Sequence, residues 1–251
     1  MPTIQLQPNT SAAAASATKL DFRCFVAEAL GTAILVLIGC GAAIVSSATQ
    51  AFGHSGIALA FGLVVTLLVA SLGPISGAHI NPAVTVAFWS TRRFPTRYVL
   101  PYILAQCVGA ISASFVLRWL LGTSHGFAAT VPSLTTGRAF AVEAGFSGVL
   151  ALVIVAVATD ERIPKMIVPF VIGSTVLVGA LVTGPLTGGS FNPARSLGPA
   201  VTGNVWEFHW LYWLAPIGGM MLGARTFEWL RGTEPPNASS RGVPTGLEGP
   251  I

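Results

Sequence analysis

Gly73-Pro74-Ile75-Ser76-Gly77-Ala78-His79-Ile80-Asn81-Pro82-Ala83 returns 111 residues later as Gly184-Pro185-Leu186-Thr187-Gly188-Gly189-Ser190-Phe191-Asn192-Pro193-Ala194. Upstream of each copy, in the same order, Arg23-x-Phe25-x-x-Glu28-Ala29 matches Arg138-x-Phe140-x-x-Glu143-Ala144 at an offset of 115. Two matched blocks in one order indicate a duplicated chain. Asn is a favoured helix cap, and Pro suits the first helical position, where an N–H would have no partner. Asn81-Pro82-Ala83 and Asn192-Pro193-Ala194 therefore each begin a helix. The apolar segments they open, Asn81 to Ser90 and Asn192 to Val201, are about half the roughly 20 residues that cross a hydrocarbon core. They can enter a bilayer but not span it.

The composition calls for such a bilayer. Of 251 residues, 13 are Lys or Arg and 9 are Asp or Glu. That is 9% charged, against about a quarter in soluble domains. Hydrophobic residues make up 53% and glycines number 28, as in helices packed in lipid. A soluble enzyme is excluded. The net charge of +4 comes from scattered basic residues without a contiguous basic face, so nucleic acid is not a partner. Cys24, Cys40 and Cys107 form no CxxC pair, so neither a disulfide scaffold nor a zinc site is supported. No metal, cofactor or catalytic residue is implied.

Six long apolar segments complete the pattern: Phe22 to Val45, Ser55 to Leu72, Tyr98 to Leu121, Arg138 to Thr159, Met166 to Thr183 and Phe208 to Leu230. Three spans per copy force the second copy to thread the membrane in the opposite sense to the first. The expected fold is an all-α membrane protein with six transmembrane helices and two re-entrant half-helices in an inverted repeat. Residues 1–21 and 231–251 read as disordered tails, 22–121 and 138–230 as the two repeats, and 122–137 as an extracellular connecting loop. Ten of the thirteen basic residues fall on one side; by the positive-inside rule that side, with both termini, is cytoplasmic.

Two helix starts facing each other bring together partial positive ends of about half a charge each. A cation or hydronium meets a barrier there, while Asn81 and Asn192 can donate to a neutral solute. The preceding stretches, Ser76 to Ile80 and Thr187 to Phe191, read as extended and Gly-rich. Non-helical backbone at membrane depth needs protein or a water-filled cavity around it. Carbonyls of Gly77, Ala78, His79, Gly188 and Ser190 are thus expected along a pore. Glu28 and Glu143 are ionisable groups within spans. They serve either as coupling carboxylates of a carrier or as acceptors for loop N–H groups, and their duplication, one per loop, favours the second. His54, His125 and His209 read as solvated residues of extracellular connections.

The stretches Ser76-Gly-Ala-His-Ile-Asn-Pro-Ala-Val-Thr85 and Gly188-Gly-Ser-Phe-Asn-Pro-Ala-Arg-Ser196 resemble the signature of the aquaporin (major intrinsic protein) family, and the similarity runs from about Phe22 to Leu230. The resemblance implies a central constriction at Asn81, Pro82, Ala83, Asn192, Pro193 and Ala194, and loop support from Glu28 and Glu143. It also implies a selectivity filter at Phe61, Ala180, Gly189 and Arg195. Arg195 places a fixed, multiply donating cation there. Water-selective members typically carry His at the Ala180 position. Typical glycerol facilitators carry Asp where this chain has Ser196, and a second aromatic in the filter where it has Gly189. One aromatic facing two small residues implies a filter wider than a water-only one. Small residues at these positions, and Ser-Leu-Gly-Pro-Ala after Arg195, are similar to plant channels for uncharged metalloid acids.

The expected function is a passive channel for water and small uncharged solutes that excludes protons and ions. The solute candidates are glycerol, urea, hydrogen peroxide and boric, silicic or arsenious acid. The alternatives are a channel mainly for glycerol or neutral metalloid acids, and a secondary transporter with broken helices. The resemblance implies a homotetramer with one pore per subunit, embedded in lipid, in the plasma membrane.

Overall fold

The computed structural model describes residues 22–122 and 128–232. Residues 1–21 and 233–251, and residues 123–127 with His125, lie outside the described residues. The described residues form eight α-helices in order: α1 (Phe22–Thr49), α2 (Gly53–Ser76), α3 (Pro82–Ser90), α4 (Thr96–Leu121), α5 (Thr136–Ala158), α6 (Val168–Thr187), α7 (Pro193–Gly203) and α8 (Leu211–Arg231). No strand occurs among the described residues. Among the described residues five helices, α1, α2, α4, α5 and α6, are long and apolar enough to cross a membrane. The sixth long helix, α8, has 21 residues, about 31 Å. Tyr212, Trp213, Pro216 and Arg225 dilute its apolar character.

The packing joins the two halves. Helix α1 packs on α4 and α5 on α8, while α2 meets α6; the half-helix α3 lies against α8 and α7 against α4. Close approach follows from missing side chains. A Cβ at Gly109 would collide with the Ala29 carbonyl oxygen, and one at Gly219 would collide with that of Ala144. These pairs occupy corresponding places in the two halves, and small residues at such crossings are what lipid-embedded helices use in place of a hydrophobic driving force.

Helices α2 and α6 run past the expected ends at Leu72 and Thr183, through Pro74 and Pro185, to Ser76 and Thr187. A proline in the final turn removes one N–H and leaves the carbonyl four residues back without its intrahelical donor. For Pro185 that carbonyl belongs to Leu181, and His54 Nε2 bonds it at 2.9 Å. His54 also packs over Gly184. It is thus an interhelix tie between α2 and α6 and not simply solvated. His209 lies in the connection between α7 and α8 as expected but is not simply solvated: Trp213 Nε1 donates to its Nε2 at 3.0 Å, and burial pushes its pKa down.

Candidate functional site

Both helix starts form as capping chemistry dictates. Asn81 and Asn192 adopt extended backbone at the caps of α3 and α7, each followed by proline. Asn81 Oδ1 accepts from Ala83 N at 2.9 Å; Asn192 Oδ1 accepts from Ala194 N at 3.0 Å and Arg195 N at 3.3 Å. The two starts are tied to each other. Asn81 Nδ2 donates to the Phe191 carbonyl at 2.8 Å, and Asn192 Nδ2 donates to the Ile80 carbonyl at 2.9 Å. Each amide is therefore half committed, keeping one hydrogen for another acceptor.

The loops before these caps are not extended. Gly77 (φ +88°), Ala78 (+47°) and Ile80 (+45°) lie in the left-handed region, and so do Gly188 (+83°), Gly189 (+54°) and Phe191 (+52°). Gly77 and Gly188 close α2 and α6 with left-handed caps, a conformation glycine adopts without a Cβ clash. A left-handed β-branched Ile80 costs on the order of 1–3 kcal/mol and persists only where its surroundings impose it. The imposing group is Glu28. Its Oε1 accepts from Ser76 Oγ at 2.7 Å and His79 N at 2.9 Å; its Oε2 accepts from Ile80 N at 2.6 Å and Gln106 Nε2 at 2.7 Å. Glu143 does the same in the second half, accepting from Thr187 Oγ1 at 2.6 Å and from Ser190 N and Phe191 N, each at 3.0 Å. Both carboxylates are 0% exposed. The carbonyls of Gly77, Ala78, His79, Gly188, Gly189 and Ser190 take no part in the hydrogen bonds among the described residues.

Further supports repeat between the halves. Tyr102 Oη donates to the Ser76 carbonyl at 2.8 Å and Tyr212 Oη to that of Thr187 at 2.7 Å. His79 Nδ1 lies 3.1 Å from Thr85 Oγ1, and Ser190 Oγ lies 2.5 Å from Ser196 Oγ. In each pair the first residue is two before the Asn and the second is four after it. Thr130 Oγ1 donates to Ser196 Oγ at 2.9 Å. The sequence reading assigns no such role to Tyr102, Tyr212, Thr85 or Thr130. Extending the repeat is the signal that finds the first three; Thr130, in a loop without a counterpart, carries none.

Phe61, Ala180, Gly189 and Arg195 converge on one cavity of about 640 Å³, whose wall also includes Gly77, Ala78, His79, Asn81, Ser190 and Asn192. At its other end the wall is formed by Asp160, Glu161 and Lys165 from the α5–α6 connection. Gly188 stands outside this wall, where a Cβ would lie 3.1 Å from the Thr130 side chain. Pro82, Ala83, Pro193 and Ala194 are buried behind the asparagines. Ala180 faces the cavity, whereas its neighbour Gly179 packs toward Phe191 and Phe146.

The Arg195 guanidinium is held from two sides. Nη1 donates to the Ala128 carbonyl at 2.9 Å, and Cζ stands 5.0 Å from the Phe61 ring centroid, a cation–π geometry. Its Nε is buried without a partner among the described residues. At the other mouth, Arg162 pairs with Asp160 at 2.7 Å, and this hydrogen bonding lowers the Asp160 pKa to about 2. Among the described residues no group of His, Cys, Asp and Glu is placed to hold a metal ion.

Comparison with known proteins agrees with this geometry. The family model described as Major intrinsic protein matches residues 15–227. Nodulin-26 of Glycine max is 43% identical over 226 residues, covering 89% of this chain and 83% of its own. A probable aquaporin NIP-type of Nicotiana alata is 39% identical over 212 residues, covering 84% of this chain and 78% of its own. Among solved structures, the aquaglyceroporin of Plasmodium falciparum superposes with a TM-score of 0.73 at 25% identity, over 82% of this chain and 94% of that one. With its two capped half-helices tied across the centre and this match over most of its length, the chain belongs to the major intrinsic protein family.

Proposed function

We propose that the chain is a passive membrane channel for water and small uncharged solutes that rejects protons and ions. The observation that carries this reading is the meeting of Phe61, Ala180, Gly189, Arg195, Asn81 and Asn192 on one cavity. Donors and carbonyl acceptors replace water's hydrogen bonds along that wall. The converging helix starts and the Arg195 charge oppose cations, the combination already known to exclude protons from aquaporin pores. The filter pairs one aromatic with two small residues, so the solute range extends beyond water to polyol- or urea-sized neutral molecules and to uncharged metalloid acids. The names of its relatives, an aquaporin and an aquaglyceroporin, support the same range.

A proton-coupled carrier would need Glu28 or Glu143 within reach of the pore. Both are 0% exposed, and both oxygens of each already accept loop hydrogens. In this reading the subunit assembles as a homotetramer in the plasma membrane, with both termini cytoplasmic. The test is Arg195→Val in proteoliposomes. Water flux should persist while proton and cation leak rises above the parent's, and a folded variant as ion-tight as the parent would overturn the role given to Arg195.

A further inference from the structure

The one aromatic wall of the filter rests on a helix that contributes no filter side chain. Phe61 stands on α2, and its ring lies against α1 at Gly39, in the run Ile38-Gly39-Cys40-Gly41. A Cβ built on Gly39 would collide with Phe61 Cε1 and fall 2.5 Å from both Cδ1 and Cζ. The ring therefore occupies the volume that any other residue at position 39 would claim. The ring also meets the Arg195 guanidinium, 5.0 Å from centroid to Cζ, and borders the cavity.

We infer that Gly39 is a positioning residue of the selectivity filter: by lacking a side chain it seats the Phe61 ring against α1 and so sets how far that ring projects into the pore. The inference rests on the channel reading and assigns the width of its filter to a residue outside the filter. Carbon atoms pack best at about 3.5–4.0 Å, so with a methyl group at position 39 the ring must retreat by at least about 1 Å. The clashing atoms belong to the far end of a side chain, which can move, while α1 at this point is a buried helix backbone. The ring borders the cavity, which is the space open to it. A shift of that size at a constriction of molecular dimensions discriminates by solute size and leaves water largely unaffected.

The experiment compares the parent, Gly39→Ala, Phe61→Ala and the double variant Gly39→Ala/Phe61→Ala in proteoliposomes, measuring glycerol and water permeability per folded protein. The expected result is a glycerol-to-water ratio at least about threefold lower for Gly39→Ala than for the parent, because pore diameter governs passage. The two variants that carry Phe61→Ala should have equal ratios, since without the ring residue 39 has nothing to push. An unchanged ratio in Gly39→Ala, or a lower ratio in the double variant than in Phe61→Ala, would overturn the inference. Should Gly39→Ala fail to fold, a folded double variant supports the ring as the atom group in conflict, and an unfolded one overturns it. A parent that passes no water would contradict the channel reading itself, whereas a conducting parent with an indifferent Gly39→Ala contradicts this inference alone.

Discussion

Asn81 and Asn192 each fasten the other's loop: the Asn81 amide donates to the carbonyl of Phe191, the residue before Asn192, at 2.8 Å, and the Asn192 amide donates to the carbonyl of Ile80, the residue before Asn81, at 2.9 Å. This reciprocal tie holds two helix starts face to face although their like partial charges disfavour the approach. The residues that open the half-helices thus also fix the distance between them.

Asn192→Asp separates these duties. Aspartate keeps the cap oxygen for Ala194 and Arg195 but replaces the donor facing Ile80 by a second acceptor. Losing a buried hydrogen bond and stranding its carbonyl costs about 1–3 kcal/mol, partly offset by the attraction of an anion to the helix start, about 0.3–1 kcal/mol. The thermal midpoint in detergent should fall, and cation flux into vesicles should rise because the new charge cancels the barrier. A variant with parental stability and parental ion tightness would contradict the assigned role of the tie.

Glu28→Gln and Glu143→Gln test whether the buried acids are supports. A carboxamide keeps one acceptor oxygen and sets a donor where the other oxygen stood. The hydroxyl of Ser76 or Thr187 can rotate to accommodate it, but one loop N–H is orphaned in each variant, at about 1–3 kcal/mol. Both variants should lose stability and folded yield to a similar degree, while the surviving folded protein should conduct solutes at a rate that does not respond to an imposed proton gradient. Solute uptake driven by that gradient in the parent, and lost in either variant, would restore the carrier reading.

Position 189 offers a chemical probe of the pore wall. The parent has glycine there, so mercuric ion should leave its water flux unaffected at this site. Gly189→Cys introduces a thiol at φ +54°, with its Cβ 2.9 Å from Thr183 Oγ1; the expected yield is therefore lower, and the folded fraction should show mercury inhibition reversed by a thiol reagent. Insensitivity in the folded fraction would mean that residue 189 does not border the water path.

Ala180→His adds a ring to the cavity wall that Ala180 shares with Arg195. Glycerol flux should fall by a multiple while water flux survives, since several heavy atoms enter a path governed by diameter. The measurement is the glycerol-to-water permeability ratio in one lipid, normalised to folded protein. An unchanged ratio would show that another point limits passage.

Much of this architecture is legible in the sequence because it is written twice. The repeated Gly-Pro and Asn-Pro-Ala blocks mark both half-helices, and the paired Glu28 and Glu143 fall where their carboxylates meet the loops. The ends of α2 and α6 escape the sequence because a proline normally signals termination, whereas in a last turn it costs one bond, which His54 restores for Leu181. The left-handed Ile80 and Phe191 are hidden as well, since neither residue type favours that conformation and a carboxylate distant in sequence imposes it. Ala128 holds Arg195 through its main-chain carbonyl, a contact that side-chain identity does not encode.

Conduction of neutral solutes without protons can be measured in proteoliposomes of the parent protein, loaded with a pH-sensitive dye and mixed in a stopped-flow cell with hyperosmotic glycerol. Light scattering then reports water and glycerol flux while the dye reports protons in the same vesicles. The expected result is rapid shrinkage, re-swelling faster than in protein-free vesicles as glycerol enters, and a proton leak no greater than theirs. Re-swelling no faster than in protein-free vesicles would contradict the wide filter, and a proton flux accompanying the solute would contradict the channel.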